Sequence, residues 1–235
     1  MAKKKITVTP KVAVTPITVT PKTKVLVVVP ACHTDHLQYK TEVLAAINTN
    51  LKLPNIQATF HPYPAADSNV TDAVGWQPVV DQFNAVTEQF LAGDYEYLWL
   101  VEADVVVPPN ALEHLLSDNV DCASAVIPYH FQNYRPEIQF KDLVICGFFA
   151  AQPSFENYNL KLPQIKDKTL VGSKEHPIFA GTGCILLKRG VFEGGLRWRW
   201  DAKVCGFDVY FWLDIQRLGF SAVVDGFVVC RHLGV

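Results

Sequence analysis

The segment Lys24-Val-Leu-Val-Val-Val-Pro30 restricts the fold more than any other stretch of the chain. A half-buried strand alternates apolar and polar residues, because successive side chains point to opposite faces. Five apolar residues in a row, four of them valine, predict a strand covered on both faces. Covering two faces takes helices on each side, which is the arrangement of a mostly parallel α/β sheet.

The rest of the first half fits this arrangement. His36 to Leu51 carries Val43, Leu44, Ile47 and Leu51 at helical spacing, and Ile56 to His61 reads as a strand stopped by Pro62 and Pro64. Gln77 to Leu91 places Val79, Phe83, Val86 and Phe90 on one helical face. Tyr97 to Val101 is a third strand. Asn110 to Leu116 is a short helix entered through Pro108 and Pro109, and Asp121 to Ile127 is a fourth strand. Pro128 to Ala180 is rich in Pro, Asn, Tyr and Phe and predicts short antiparallel strands and loops over one end of the sheet. A strand (Cys184 to Leu187), a helix (about Gly206 to Leu218) and a last strand (Ala222 to Cys230) complete the pattern. In such sheets ligands lie beyond the carboxyl ends of the strands.

A chain of 235 residues can bury a core of this kind without staples. Its net charge of −2 gives no electrostatic case for nucleic acid or an anionic membrane. Six scattered cysteines form no C-x-x-C pair and read as reduced core thiols, pointing to a reducing, cytoplasmic setting. The sequence has no apolar h-region near its start and no apolar run long enough for a transmembrane helix. Residues 6–21 repeat the pattern ITVTP, KVAVTP, ITVTP; proline excludes a helix, so residues 1–23 are expected to form an extended arm, either an oligomerisation tether or a tail without chemistry.

Glu102 and Asp104 come directly after the buried third strand. Two carboxylates this close repel and resist desolvation, and a divalent cation resolves both problems. An E-x-D triplet alone is weak evidence, but its surroundings are not. The stretch YLWLVEADVVVPPNALEHLL (Tyr97 to Leu116) resembles the corresponding segment of GT-A glycosyltransferases, particularly those of family 2. Further segments agree with that family in order: Lys24 to Pro30 with its first nucleotide-binding strand, AGTGCILLKR (Ala180 to Arg189) with its Gly-x-Gly strand, Phe207-Asp208-Val-Tyr-Phe211 through Arg217-Leu-Gly219 with its Glu-Asp helix, and Val223 to His232 with its closing strand. The resemblance spans residues 24–235, with 24–127 as the nucleotide-binding half and 128–235 as the acceptor-binding half.

The resemblance implies transfer of a sugar from a nucleoside-diphosphate sugar to a carbohydrate or other hydroxyl acceptor. It implies Asp104 as a direct metal ligand, Glu102 as a contact to the ribose or to the metal through water, and His232 as a C-terminal metal ligand. Carboxylate and imidazole together suit Mn²⁺ somewhat better than Mg²⁺. Asp208 matches the catalytic base of inverting relatives, although Phe207 stands where they carry glutamate, and Asp208 could equally be an N-cap. Pro30, Ala31, Cys32 and Asp35 fall where the family holds the base and ribose. Asn84 falls near its Arg-Asn position, with Phe83 replacing the arginine, and Ala103 lies between the two acids. Gly181, Thr182 and Gly183 either let the backbone approach the sugar or make a tight strand entry. The segment RWRWD (Arg197 to Asp201) could stack on a sugar and meet phosphate, or be a loop anchored by core tryptophans.

Other classes fit less well. The histidines show no H-E-x-x-H spacing, and neither G-x-G-x-x-G after the first strand nor a P-loop occurs. A nucleotidyltransferase would carry a Gly-rich basic loop where Ala31 to His36 stands. A non-catalytic nucleotide-sugar-binding protein is the remaining alternative, favoured by Phe207 and by the missing arginine beside Asn84.

Overall fold

The structure is a computed structural model; it describes residues 22–30, 40–62, 75–128, 143–148, 158–172, 177–201 and 206–233. The expectations for Ala31, Cys32, Asp35 and the Thr-Pro arm up to Pro21 lie outside these residues.

The elements in chain order are β1 (Thr23–Val29), α1 (Lys40–Asn50), β2 (Ile56–Pro62), α2 (Gln77–Ala92), β3 (Tyr97–Val101), β4 (Val105–Val106), α3 (Ala111–Ser117), β5 (Cys122–Val126), β6 (Leu143–Phe148), β7 (Tyr158–Lys161), α4 (Leu162–Ile165), β8 (Thr169–Gly172), β9 (Ile178–Ala180), β10 (Cys184–Lys188), α5 (Arg189–Glu193), α6 (Phe207–Arg217), β11 (Ala222–Val229) and β12 (Arg231–His232). Seven strands form the main sheet in the order β2-β1-β3-β10-β5-β11-β8. β2, β1, β3, β5 and β11 run one way, and β10 and β8 run against them.

The double-sided burial expected of β1 is present. Val25, Val27 and Val29 enter the core shared with α1 and α3, whereas Leu26 and Val28 enter the core shared with α2, α5 and α6. The same alternation runs through β3, where Trp99 and Val101 face the first core and Leu98 and Leu100 the second. It continues in β10 with Cys184 and Leu186 against Ile185 and Leu187. α2 buries Val79, Phe83, Val86 and Phe90, the stripe its sequence spacing marks.

The second half differs from expectation in one respect. β6, β7 and β9 do form a small antiparallel sheet, but β8 leaves that region and extends the edge of the main sheet. β10 is inserted between β3 and β5, so both halves of the chain supply strands to one sheet. This insertion brings the start of β10 beside the end of β3, with Cys184 opposite Val101.

The loop after β4 is fixed by a buried side chain from another helix. Asn110, the residue at the N-cap of α3, makes no side-chain cap. Instead Asn50, 1% exposed at the end of α1, accepts the Leu112 N–H at 3.0 Å and donates to the Pro108 carbonyl at 2.9 Å and the Ala46 carbonyl at 3.1 Å. Truncating it leaves the buried Leu112 N–H without its acceptor and takes one of two donors from the Pro108 carbonyl, which also accepts the Ala111 N–H. Asn50→Ala is therefore expected to lower unfolding free energy by about 1–3 kcal/mol. Urea denaturation checks this, and an unchanged midpoint and slope would show that Asn50 is dispensable.

Candidate active site

At the carboxyl end of β3 the chain turns away from the sheet, and its backbone stays tied to both neighbouring strands. The Glu102 N–H donates to the Gly183 carbonyl at 2.8 Å on the β10 side. The Ala103 N–H donates to the Pro30 carbonyl at 2.9 Å on the β1 side, and the Val105 N–H closes the turn on the Glu102 carbonyl at 3.0 Å. Pro30, the acidic triplet and the Gly181-Thr-Gly183 segment thus meet at one edge of the sheet, as the order of the motifs requires.

His232 reaches this edge through a ribbon too short to read from sequence. β12 pairs antiparallel with β4, placing Arg231 opposite Val106 and His232 opposite Val105. The Leu233 N–H then donates to the Asp104 carbonyl at 2.7 Å. The His232 Nε2 stands 3.1 Å from the Asp104 Oδ2, with side-chain exposures of 15% and 2%. A carboxylate and an imidazole 128 residues apart in sequence are therefore an adjacent, part-buried pair. Burial lowers the imidazole pKa, but the hydrogen bond and charge of Asp104, the charge of Glu102 and the Pro128 carbonyl outweigh it, so His232 titrates above its ordinary value.

Among the described residues no group of three or more His, Cys, Asp or Glu side chains could hold a metal ion. Asp104 and His232 instead offer two donors, and this suits an ion that completes its shell with water and phosphate oxygens. The His232 Nε2 and Asp104 Oδ2 stand 3.1 Å apart as two adjacent donor atoms, and a cation held there would take the place of the proton they share. One hard oxygen donor and one imidazole are a fitting set for Mn²⁺ or Mg²⁺.

The glycine segment has a packing explanation. A Cβ on Gly183 would lie 3.0 Å from Ile127 Cδ1, 3.1 Å from Val105 Cγ2 and 3.2 Å from Glu102 Oε2, so the bare backbone lets β10 start against the acidic turn. The buried Ser124 hydroxyl lies 3.1 Å from the Gly181 carbonyl and is positioned to donate to it. Thr182 between them is 4% exposed. Nothing in the sequence marks Ser124, Pro128 or Leu233; the last two act through backbone groups, which leave no side-chain signature.

Asp208 is the second residue of α6. Gly206 occupies the N-cap position, and the Asp208 Oδ1 accepts the Val209 N–H at 2.9 Å, so Asp208 is not the N-cap residue. Burial raises its carboxyl to about 6, partly offset by the Val209 and Asp208 backbone N–H groups. Phe207 is 4% exposed and packs on Trp76, Phe83 and Trp198. Where the resembling family carries glutamate, this chain has an apolar anchor for the start of α6.

RWRWD proves to be an anchored loop. Trp198 is 2% exposed, stacks on Phe211 at 4.1 Å and donates its Nε1–H to the Thr87 hydroxyl. The amide of Asn84 holds the Trp198 backbone at both ends, donating to its carbonyl at 2.9 Å and accepting its N–H at 3.1 Å. Asn84 thus has a structural task in joining α2 to this loop. Arg199 makes a two-pronged contact with the buried Asp214 (2.5 and 3.0 Å) and lies over Tyr210, and Arg197 donates to the Phe192 and Leu196 carbonyls. The two arginines serve the loop and α6.

No family model and no curated protein matches the sequence. Solved structures do match along most of it. GalNAc-T7 with UDP, GalNAc and Mn²⁺ is 12% identical, with 89% of this chain and 43% of that chain covered and a TM-score of 0.56. A mutant Drosophila β1,4-galactosyltransferase 7 in complex with manganese, UDP-Gal and xylobiose is 13% identical, with 91% and 71% covered and a TM-score of 0.50. A197 from STIV is 15% identical, with 90% and 86% covered and a TM-score of 0.49. The chain thus spans less than half the length of GalNAc-T7. Among the described residues no helix is long and apolar enough to cross a membrane. Likeness at such identities speaks for architecture, and on that ground the chain has the GT-A fold seen in glycosyltransferases.

Proposed function

We propose that the protein is a metal-dependent glycosyltransferase that moves a sugar from a nucleoside-diphosphate sugar to a hydroxyl of a carbohydrate or other acceptor. The observation that carries this reading is the Asp104–His232 pair, 3.1 Å apart at the carboxyl end of β3 within a GT-A fold, with the carboxylate buried. The UDP and Mn²⁺ of the GalNAc-T7 structure support a divalent ion and a nucleotide-sugar donor.

In this reading Asp104 and His232 hold the ion, and Glu102 supports the ribose or the ion through water. Bound there, a divalent ion supplies neutralisation of the departing diphosphate. Pro30, Ala31, Cys32, Asp35 and Ala103 border the nucleotide, while Gly181, Thr182 and Gly183 border the sugar. Asp208 takes the proton of the attacking acceptor hydroxyl at its carboxylate. With its pKa raised to about 6, it is mostly ionised at neutral pH yet basic enough to accept that proton.

A second reading, a nucleotide-sugar-binding protein without turnover, is favoured by the burial of Phe207 where the resembling family carries glutamate. Calorimetry with UDP and GDP in the presence of Mn²⁺, alongside a nucleotide-release assay, separates the two. Binding without release on any sugar acceptor would select the second.

Asp104→Ala is expected to weaken Mn²⁺-dependent nucleotide binding at least about tenfold, as chelation of the metal by EDTA does, and to reduce transfer to background. Full metal-dependent turnover in this variant would end the metal assignment. A base works only when ionised, so kcat/KM should rise with pH through about 6 and then level off. Asp208→Asn should lose about 10²–10⁴-fold in rate together with this acidic limb. A limb that persists in the variant would belong to another group.

A further inference from the structure

His232 is delivered by the smallest ribbon among the described residues. β4 and β12 contribute two residues each. Two-stranded ribbons are marginal on their own, and this one needs support from outside its ladder. On one side the Cys230 N–H donates to the Val126 carbonyl at 2.9 Å, which ends the influence of β11 one residue before β12 begins. On the other, the Leu233 N–H donates to the Asp104 carbonyl.

Neighbouring residues of a strand point to opposite faces. With His232 turned toward Asp104, Arg231 turns the other way, and there its guanidinium meets the carboxylate of Glu42 in the first turn of α1. Glu42 is also well placed for the positive end of that helix. α1 is the first described element after Pro30, whose carbonyl holds Ala103 of the acidic triplet. The ion pair therefore joins the helix that comes after the β1 edge of the site to the strand that carries its histidine.

We infer that Glu42 and Arg231 are positioning residues: their ion pair clasps β12 onto the body of the protein and so sets His232 against Asp104. The partners are half exposed, and exposed pairs contribute little to overall stability. Their effect is local because the ribbon they secure has so few other bonds. The clasp itself stands on geometry alone, and only its consequence for metal affinity rests on the proposed ligand role of His232.

The test uses the full chain with Glu42→Arg, Arg231→Glu and the double exchange of both, with His232→Ala measured alongside. Hydrogen exchange of the Leu233 amide reads the ribbon, and titration with Mn²⁺ alone, monitored by electron paramagnetic resonance, reads the site. Each single reversal is expected to speed Leu233 exchange and to weaken Mn²⁺ binding by about two- to fivefold. The double exchange should return both to near the wild-type values, which loss of either residue for an unrelated structural reason would not do. Unchanged Leu233 exchange in both single variants, or no recovery in the double, overturns the clasp. Faster exchange with unaltered Mn²⁺ affinity in these variants and in His232→Ala supports the clasp and removes His232 from the metal site.

Discussion

Strand β3 is buried on both faces and hydrogen-bonded along both edges, and most of the molecule is arranged to make that possible. α1 and α3 cover one face, α2, α5 and α6 the other, and β1 and β10 take its two edges. A strand held so completely leaves the residues at its carboxyl end little freedom. Those residues are Glu102-Ala103-Asp104, and the backbone of their turn is divided between the same two neighbours, Gly183 beside β10 and Pro30 at the end of β1. The acidic turn is thereby fixed by the sheet before any ligand is considered. A carboxylate as buried as Asp104 is tolerated because an imidazole lies within 3.1 Å of it.

Most of the main sheet was legible in the sequence because its signals are local. Five apolar residues in Lys24 to Pro30, four of them β-branched and stopped by proline, favour a doubly covered strand, and Val79, Phe83, Val86 and Phe90 can share a face only in a helix. Elements whose existence depends on distant partners were harder. β8 carries only the four residues TLVG and is a strand because β11 pairs with it. β4 and β12 are two residues each and exist because they meet. Asn50 shows the same limit: it caps a helix 62 positions away, and no window along the chain links it to Leu112.

The site divides in a similar way. Glu102, Asp104 and His232 were visible as residue types in a meaningful order, and the structure brings Asp104 and His232 into contact. Asn84 and RWRWD illustrate the converse. Their composition suits ligands, yet the Asn84 amide closes on the Trp198 backbone, Trp198 stacks in the core and Arg199 is engaged by Asp214. Aromatic and guanidinium groups serve folding and recognition with the same chemistry, so composition cannot separate the two uses. Burial and partner geometry separate them.

These anchoring contacts still bear on chemistry, because they determine where α6 begins. Phe207 is wedged among Trp76, Phe83 and Trp198, and the adjoining residue is Asp208. The positive end of a helix ordinarily draws a first-turn carboxylate toward the ionised state. Here burial works in the opposite direction and prevails, leaving the group near 6. A carboxylate raised in this way has lost some stabilisation of its charged form, and a group that loses such stabilisation becomes a better proton acceptor. The aromatic cluster around Phe207 thus fixes the helix start that holds Asp208 in its partly buried, raised-pKa setting. Under the proposed reading, Phe207 thus bears on catalysis through the setting it gives Asp208.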